Sequence, residues 1–171
     1  MKRFAESLYL QLITLWVGAL WAVGLMVAPT LFHMLDDRML AGEIAGQLFT
    51  YVAWIGLGSA AYLLVFIALR KNGGAFRCGV FWLVLGMLLL TVASHFGIQP
   101  IMAQLKADSL PREVMEGALR DRFRVWHGVS SVVYLIECVL GLLLVGMQNR
   151  GLQLAQAPAR GAKVSSRNRS A

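Results

Sequence analysis

Apolar residues gather into four long runs, residues 8–32, 48–69, 79–97 and 125–147, each closed by charged or turn-forming residues. A helix rises ~1.5 Å per residue and a bilayer core is ~30 Å thick, so roughly 20 apolar residues suffice to cross it. Backbone N–H and C=O groups find no water in hydrocarbon, which leaves a helix as the structure of each run. The pattern predicts an all-α integral membrane protein with transmembrane helices at about residues 8–32, 46–69, 78–98 and 123–147. Packed up-down-up-down, they make one bundle spanning residues 1–147. Residues 148–171 are polar, basic and rich in Gly, Ala and Ser, the composition of a disordered tail lying against an anionic inner leaflet.

The punctuation between the runs sharpens the boundaries. Asp36-Asp37 can cap a helix start, and residues 39–46 continue in helical register into the second span. Residues 109–113, Ser-Leu-Pro-Arg-Glu, read as another start with Pro in the first turn, so the fourth helix is expected to begin before the membrane. Pro100 should end or bend the third helix, and Asn72-Gly73-Gly74 reads as a turn. Gly18/Ala22, Gly42/Gly46, Gly56/Ala60 and Ala93/Gly97 each stand four apart, a spacing that lets membrane helices approach closely, inside one bundle or between copies of it.

Composition adds little beyond this. The chain is 58% apolar with a positive mean hydropathy, above the soluble norm of ~45–50%. The net charge of +7 suggests nucleic acid until its distribution is read. Lys2, Arg3, Arg70, Lys71, Arg77, Arg150, Arg160, Lys163, Arg167 and Arg169 fall on one side, against Arg38, Lys106, Arg112, Arg120, Arg122 and Arg124 on the other. The positive-inside rule then places both termini in the cytoplasm, with the lipid bilayer as the partner and no nucleic acid. The first run is too long for a secretory signal, whose apolar region is ~7–15 residues, so it is read as a retained span. Cys78 and Cys138 have no partner spacing and read as apolar thiols. The Asn168-Arg-Ser170 sequon lies in the cytoplasmic tail and carries no weight.

The fourth run carries the candidate chemistry. At ~100° per residue, His127, Ser130, Ser131, Tyr134, Glu137, Cys138 and Gly141 form one polar stripe reaching past mid-membrane, opposite Val, Leu and Ile. Glu137 stands near the bilayer centre, where an ionised carboxylate is expensive by several kcal/mol, so it must be neutral, paired or wet. No Lys or Arg lies at that depth. A functional reading makes Glu137 a proton- or cation-coupling group; a structural reading makes it a protonated side chain bonded to Thr14, Ser59 or Tyr134.

His33, His95 and His127 fall at one membrane depth, with Met34, Met39, Met102 and Met115 on the same side. Imidazole and thioether suit copper, and two facing histidines can carry haem. Against this, histidines, like Trp16, Trp21 and Trp54, also suit helix ends and polar pockets without any ligand. Arg124 reads as a boundary residue reaching head groups or pairing with Asp121, with an alternative role beside His127 as an anion or head-group contact. HExxH, Gly-rich phosphate loops and nucleophile elbows are missing from the sequence.

The stretch Arg122-Phe-Arg-Val-Trp-His127-Gly-Val-Ser-Ser131, with Trp16-Val-Gly-Ala-Leu-Trp21, Ala28-Pro-Thr-Leu-Phe32, Ala41-Gly-Glu-Ile-Ala-Gly46-Gln-Leu-Phe49 and Pro100, resembles the bacterial four-helix proteins of domain of unknown function 4149. These in turn look related to the transmembrane protein 205-like family. The resemblance covers residues 8–147 and implies a four-span protein without assigned chemistry, in which His127, Ser130 and Ser131 matter most. Where similar proteins often carry Asn one turn after the Ser-Ser pair, this chain has Tyr134.

The resulting expectation is a multi-pass protein of the bacterial inner membrane, not an enzyme, serving transport or an accessory role through its polar stripe. A copper or haem protein and a structural partner in a homo-oligomer or membrane complex are the alternatives. Topology is directly testable. Cysteine introduced at Asp37 or Ser109 in a cysteine-free background should react with an impermeant thiol reagent from outside, while cysteine at Gly73 or Ser165 should not. The reverse labelling would invert the orientation.

Overall fold

A computed structural model of the chain describes residues 2–70, 74–107 and 117–156. Four rods run through it, and all are long and apolar enough to cross a membrane: Phe4–Met34, Met39–Arg70, Gly79–Leu105 and Asp121–Gln148. The first consists of α1 (Lys2–Trp21), a π turn (Ala22–Val27) and α2 (Ala28–Met34). The second is the single helix α3 (Arg38–Arg70). A short 3-10 turn (Ala75–Arg77) leads to the third, built from α4 (Gly79–Val92), a second π turn (Ala93–Ile98) and α5 (Gln99–Ala107). The fourth is α6 (Gly117–Gln156), whose 40 residues extend ~60 Å, about twice the hydrocarbon thickness.

Successive rods are antiparallel, and the main packing partners are α1 with α3 and α6 and α4 with α3 and α6. Polar contacts tie the ends. Asp37 Oδ1 accepts from the backbone N–H of Met39 at 2.8 Å and of Leu40 at 3.2 Å, capping α3. At the other end Glu6 pairs with Arg70, the Tyr62 hydroxyl donates to the Ala5 carbonyl at 3.2 Å, and Gln148 Nε2 donates to the Tyr9 hydroxyl at 2.7 Å. These contacts define an Arg70 end and an Asp37 end.

Both π turns have the same local cause. Pro29 and Pro100 each stand second in the helix that follows a π turn, and each turn begins seven residues before its proline. Proline has no N–H and its ring crowds the carbonyl four residues back, here Leu25 or Phe96, and a wider turn makes room. Pro100 therefore does not end the third helix, which runs on to Ala107.

The core lies in the Arg70 half. Trp16, Leu20, Leu63, Val84, Met87 and Leu144 are essentially fully buried there. In the first rod every buried residue precedes the π turn, and neither Ala22–Val27 nor Ala28–Met34 contains one. In α6 the buried residues begin at Glu137, with none from 121 to 136. Close approach uses fewer glycines than the four-residue spacings suggest. A Cβ on Gly56 would stand 2.6 Å from Trp16 Nε1, and one on Gly141 would stand 3.2 Å from Val17. Gly18, Gly46 and Gly97 face open space, so their spacing reflects no helix contact.

One further expectation changes. Residues 148–156 continue α6 as helix, because Gln, Leu, Ala and Arg favour it and Gln148 is anchored to Tyr9. Residues 157–171, the proposed start at 109–113, and Asn72 and Gly73 of the expected turn lie outside the described residues.

Gly56→Ala should lower stability by about 1–3 kcal/mol, since Trp16 has no free space into which to retreat. Gly86→Ala, which meets nothing within 4 Å, should leave stability unchanged or raise it. Thermal unfolding of both variants in detergent micelles checks this, and equal midpoints would contradict the Trp16–Gly56 contact.

Candidate functional site

Among the described residues the buried polar side chains are Ser59 on α3, Thr91 on α4 and Glu137 on α6. Helical spacing turns Tyr134, Glu137, Cys138 and Gly141 toward α1 and α4, and the last three are buried. Glu137 is 4% exposed, 11 residues or ~17 Å from Gln148 at the Arg70 end of its span. Its carboxyl is hydrogen-bonded to the hydroxyl of Thr91 on α4, and Thr91 Oγ1 also lies 2.9 Å from the Met87 carbonyl.

Thr91 has one hydroxyl proton and two acceptors within reach. If that proton goes to the Met87 carbonyl, the Glu137 carboxyl must be protonated and donate to Thr91, giving the chain Glu137 O–H to Thr91 O–H to Met87 C=O. The alternative is a carboxylate held by one neutral donor in a dry seam. Among the described residues no cation pairs with it, since the ion pair there joins Glu6 and Arg70 at the surface. Transfer of an unpaired carboxylate out of water far outweighs one neutral hydrogen bond of ~1 kcal/mol, so the neutral chain is the stable arrangement.

The partner is not one of those expected from sequence. Thr14 is exposed and donates to the carbonyl of Leu10 in its own helix at 3.0 Å. The Tyr134 hydroxyl is engaged elsewhere, donating to the Leu20 carbonyl at 2.5 Å. Ser59 is buried on α3, which meets α6 through Phe49 and Tyr134 but packs mainly on α1 and α4. Thr91 had a signal that could have found it. Gly79 and Met147 touch at the Arg70 end, and counting from them puts Thr91 12 residues and Glu137 10 residues along antiparallel rods, the same depth to within ~3 Å.

Tyr134 closes the site toward the Asp37 end. A Cβ on Gly24 would fall 2.2 Å from its ring, so the phenol lies directly on the backbone of the first rod. The Phe49 ring meets it edge-on at 5.0 Å. Beyond Tyr134 the polar stripe is less covered by the described residues: Ser130 is half-buried, and Ser131 and His127 are exposed, with Ser131 Oγ donating to the His127 carbonyl at 2.9 Å. The stripe is thus one inward face with a packed lower half and an open upper half.

The histidines sit apart in character. His33 is exposed near the end of α2, and His127 is stacked on Phe123 of its own helix at 6.0 Å. His95 in the second π turn is edge-on to Trp54 at 5.6 Å and to Phe96 at 4.8 Å, with its buried Nδ1 unpartnered. Among the described residues no three His, Cys, Asp or Glu side chains come together as a metal-binding group. Arg124 is exposed and makes no ion pair with Asp121; the two mark the rim of an open groove over Val125, Gly128, Val129, Val132 and Val133. Cys78 and Cys138 are free thiols, the latter buried.

Glu137→Gln should preserve folding, because the amide can still donate to Thr91. Glu137→Ala should lose about 1–3 kcal/mol by stranding that hydroxyl and opening the seam. Thermal unfolding in micelles separates the two; an alanine variant as stable as the glutamine variant would show that the bond contributes nothing to the fold.

Comparison with known proteins yields one match. A family described as a domain of unknown function (DUF4149) matches residues 11–111, more than half of the chain. The match takes in the first three rods and stops before α6, so the stretch from Arg122 to Ser131 that carries much of the sequence resemblance lies beyond it. No curated protein and no solved structure matches the chain.

Proposed function

We propose that this chain, which belongs to the DUF4149 family, is a non-enzymatic transport or accessory factor of the bacterial inner membrane in which Glu137 carries a proton. The observation that carries the reading is the position of that carboxyl: 4% exposed, near mid-span, and bonded to Thr91. Beyond it lies an uncovered polar face of Ser130, Ser131 and His127 leading toward the Asp37 end. An ionisable group at this depth is expensive as a mere packing element and useful as a proton carrier. Tyr134 stands between the carboxyl and the open face, so proton exchange with that side requires Tyr134 to move or water to pass it.

In this reading the termini are cytoplasmic and the Asp37 end faces outward. His127, Ser130 and Ser131 offer donors and acceptors to a polar solute, and Arg124 contacts lipid head groups at the rim.

The test is a deletion strain screened against metals, drugs and envelope stress, then complemented with variants at matched protein levels. Glu137→Gln should fold, reach the membrane and fail to complement. A fully complementing glutamine variant would remove the proton-carrying role and leave the polar seam as packing.

A further inference from the structure

Residues 134–138 of α6 grip the first and third rods at corresponding points. In the first rod, the Tyr134 hydroxyl donates to the Leu20 carbonyl and Trp21 Nε1 donates to the Cys138 carbonyl at 3.3 Å, both immediately before the π turn at Ala22. In the third rod, Glu137 holds Thr91, two residues before the π turn at Ala93. Each π turn in turn begins seven residues before a proline. One helical turn of α6 therefore holds two similar hinges at the same place in each.

In the first rod the hinge also separates two regimes of packing. Toward the Arg70 end lie Trp16, Val17, Leu20, Val84 and Met87, all buried. Past the hinges the first rod buries nothing among its described residues up to Met34. The third rod past its hinge stays packed: Ile98 and Leu105 are buried, α5 lies against α6, and Thr50 Oγ1 bonds Gln99 Oε1 at 3.3 Å beside the Trp54–His95 contact. α2 likewise leans on α3, so each outer segment meets its neighbours beyond the hinge and joins the core at the level that α6 clamps.

We propose that residues 134–138 of α6 form a clamp through which one proton on Glu137 sets the packing of both π–proline hinges. With the proton in place the donor chain from Glu137 through Thr91 to the Met87 carbonyl is complete. Loss of the proton leaves a carboxylate that needs several donors and finds one, and Thr91 must turn from Met87 to supply it. The seam between α4 and α6 then opens to water. Tyr134 is less than one turn away on the same stiff helix, so the movement that frees Thr91 also withdraws the phenol from Leu20 and Gly24.

Among the described residues the other titratable groups at this level are a phenol and a thiol, both on α6 itself. Tyr134 and Cys138 flank Glu137 on α6, while α1 brings Val17, Leu20 and Trp21 to this level and α4 brings Met87 and Thr91, none of them ionisable. His95, one turn past Thr91, turns its ring to Trp54 and Phe96. Linkage makes the coupling reciprocal: whatever opens the hinges also lowers the hold on the proton. This inference rests on the proton-carrying role of Glu137 but concerns motion rather than transport.

Hydrogen exchange read by mass spectrometry on the full-length protein in lipid nanodiscs, corrected for intrinsic exchange at each pH, tests it. In the wild type, protection of residues 22–27 and 93–98 should fall together by about tenfold as rising pH deprotonates Glu137. Glu137→Gln should keep both segments protected throughout. Tyr134→Phe, which keeps the ring and loses the bond to Leu20, should loosen residues 22–27 alone.

Protection that ignores pH in the wild type, a wild-type pH response in one segment without the other, or a Tyr134→Phe variant that leaves residues 22–27 as protected as before overturns the clamp; these outcomes decide it even if the glutamine variant fails to fold. Independent segments together with a non-complementing Glu137→Gln would remove the clamp and keep the proton carrier. Coupled segments with a complementing variant would keep the clamp and remove the transport role.

Discussion

The approach of Trp16 to Gly56 fixes the distance between the first two rods, and much of the rest of the bundle follows from it. A ring seated on bare backbone lets α1 lie close to α3 along the Arg70 half, where Leu20 and Leu63 are also fully buried. On the other side of α1, Val17 occupies the notch at Gly141 and brings α6 equally near. Water drives none of this in hydrocarbon, where close van der Waals packing must hold the helices together. Packing of that kind needs small residues opposite large ones, and the bundle has them at Gly56, Gly141 and Gly24.

The same constraint explains why the two halves differ. Past residue 21 the first rod contains a π turn and a proline, and its side chains lose the register that fitted α3 and α6 below. The third rod also widens at Ala93, but it still buries Ile98 and Leu105 beyond that point. Tyr134 lies at the boundary, its ring filling the gap over Gly24 and its hydroxyl taking the Leu20 carbonyl just before the helix widens. A side chain of this length with a donor at its tip suits a place where one helix begins to leave another.

How much of this was legible in the sequence depends on what each feature required. The four spans follow from run length alone, because hydrocarbon permits few other structures. The inward face of α6 from Tyr134 to Gly141 follows from the 100° period, which an uninterrupted helix obeys. The partner of Glu137 did not follow, since it depends on which helices are neighbours: Ser59 is on a rod that packs mainly on α1 and α4, and Thr14 faces outward. The period also gave no sign that His127, Ser130 and Ser131 would lie uncovered, because cover comes from another helix. Pro100 taken by itself suggested a helix end, and only with Pro29 beside it does the repeated π turn become visible.

The Thr91–Glu137 pair is hard to account for as a device of stability. A Leu opposite a Val would fill the same seam between α4 and α6 with dispersion contacts and no dehydrated carboxyl. The fold has such pairs available, since Val84, Met87 and Leu144 pack the neighbouring layers without polar atoms. A neutral hydrogen bond contributes ~1 kcal/mol at best and does so only while the proton stays, whereas an apolar pair holds at any pH. Local choices that run against the surrounding pattern concentrate where a protein acts. Here the exception lies at the level where two rods change their packing, held by the helix that also carries the polar face. The energetics and the geometry therefore meet at one residue, Glu137, on which the proposed proton-carrying role rests.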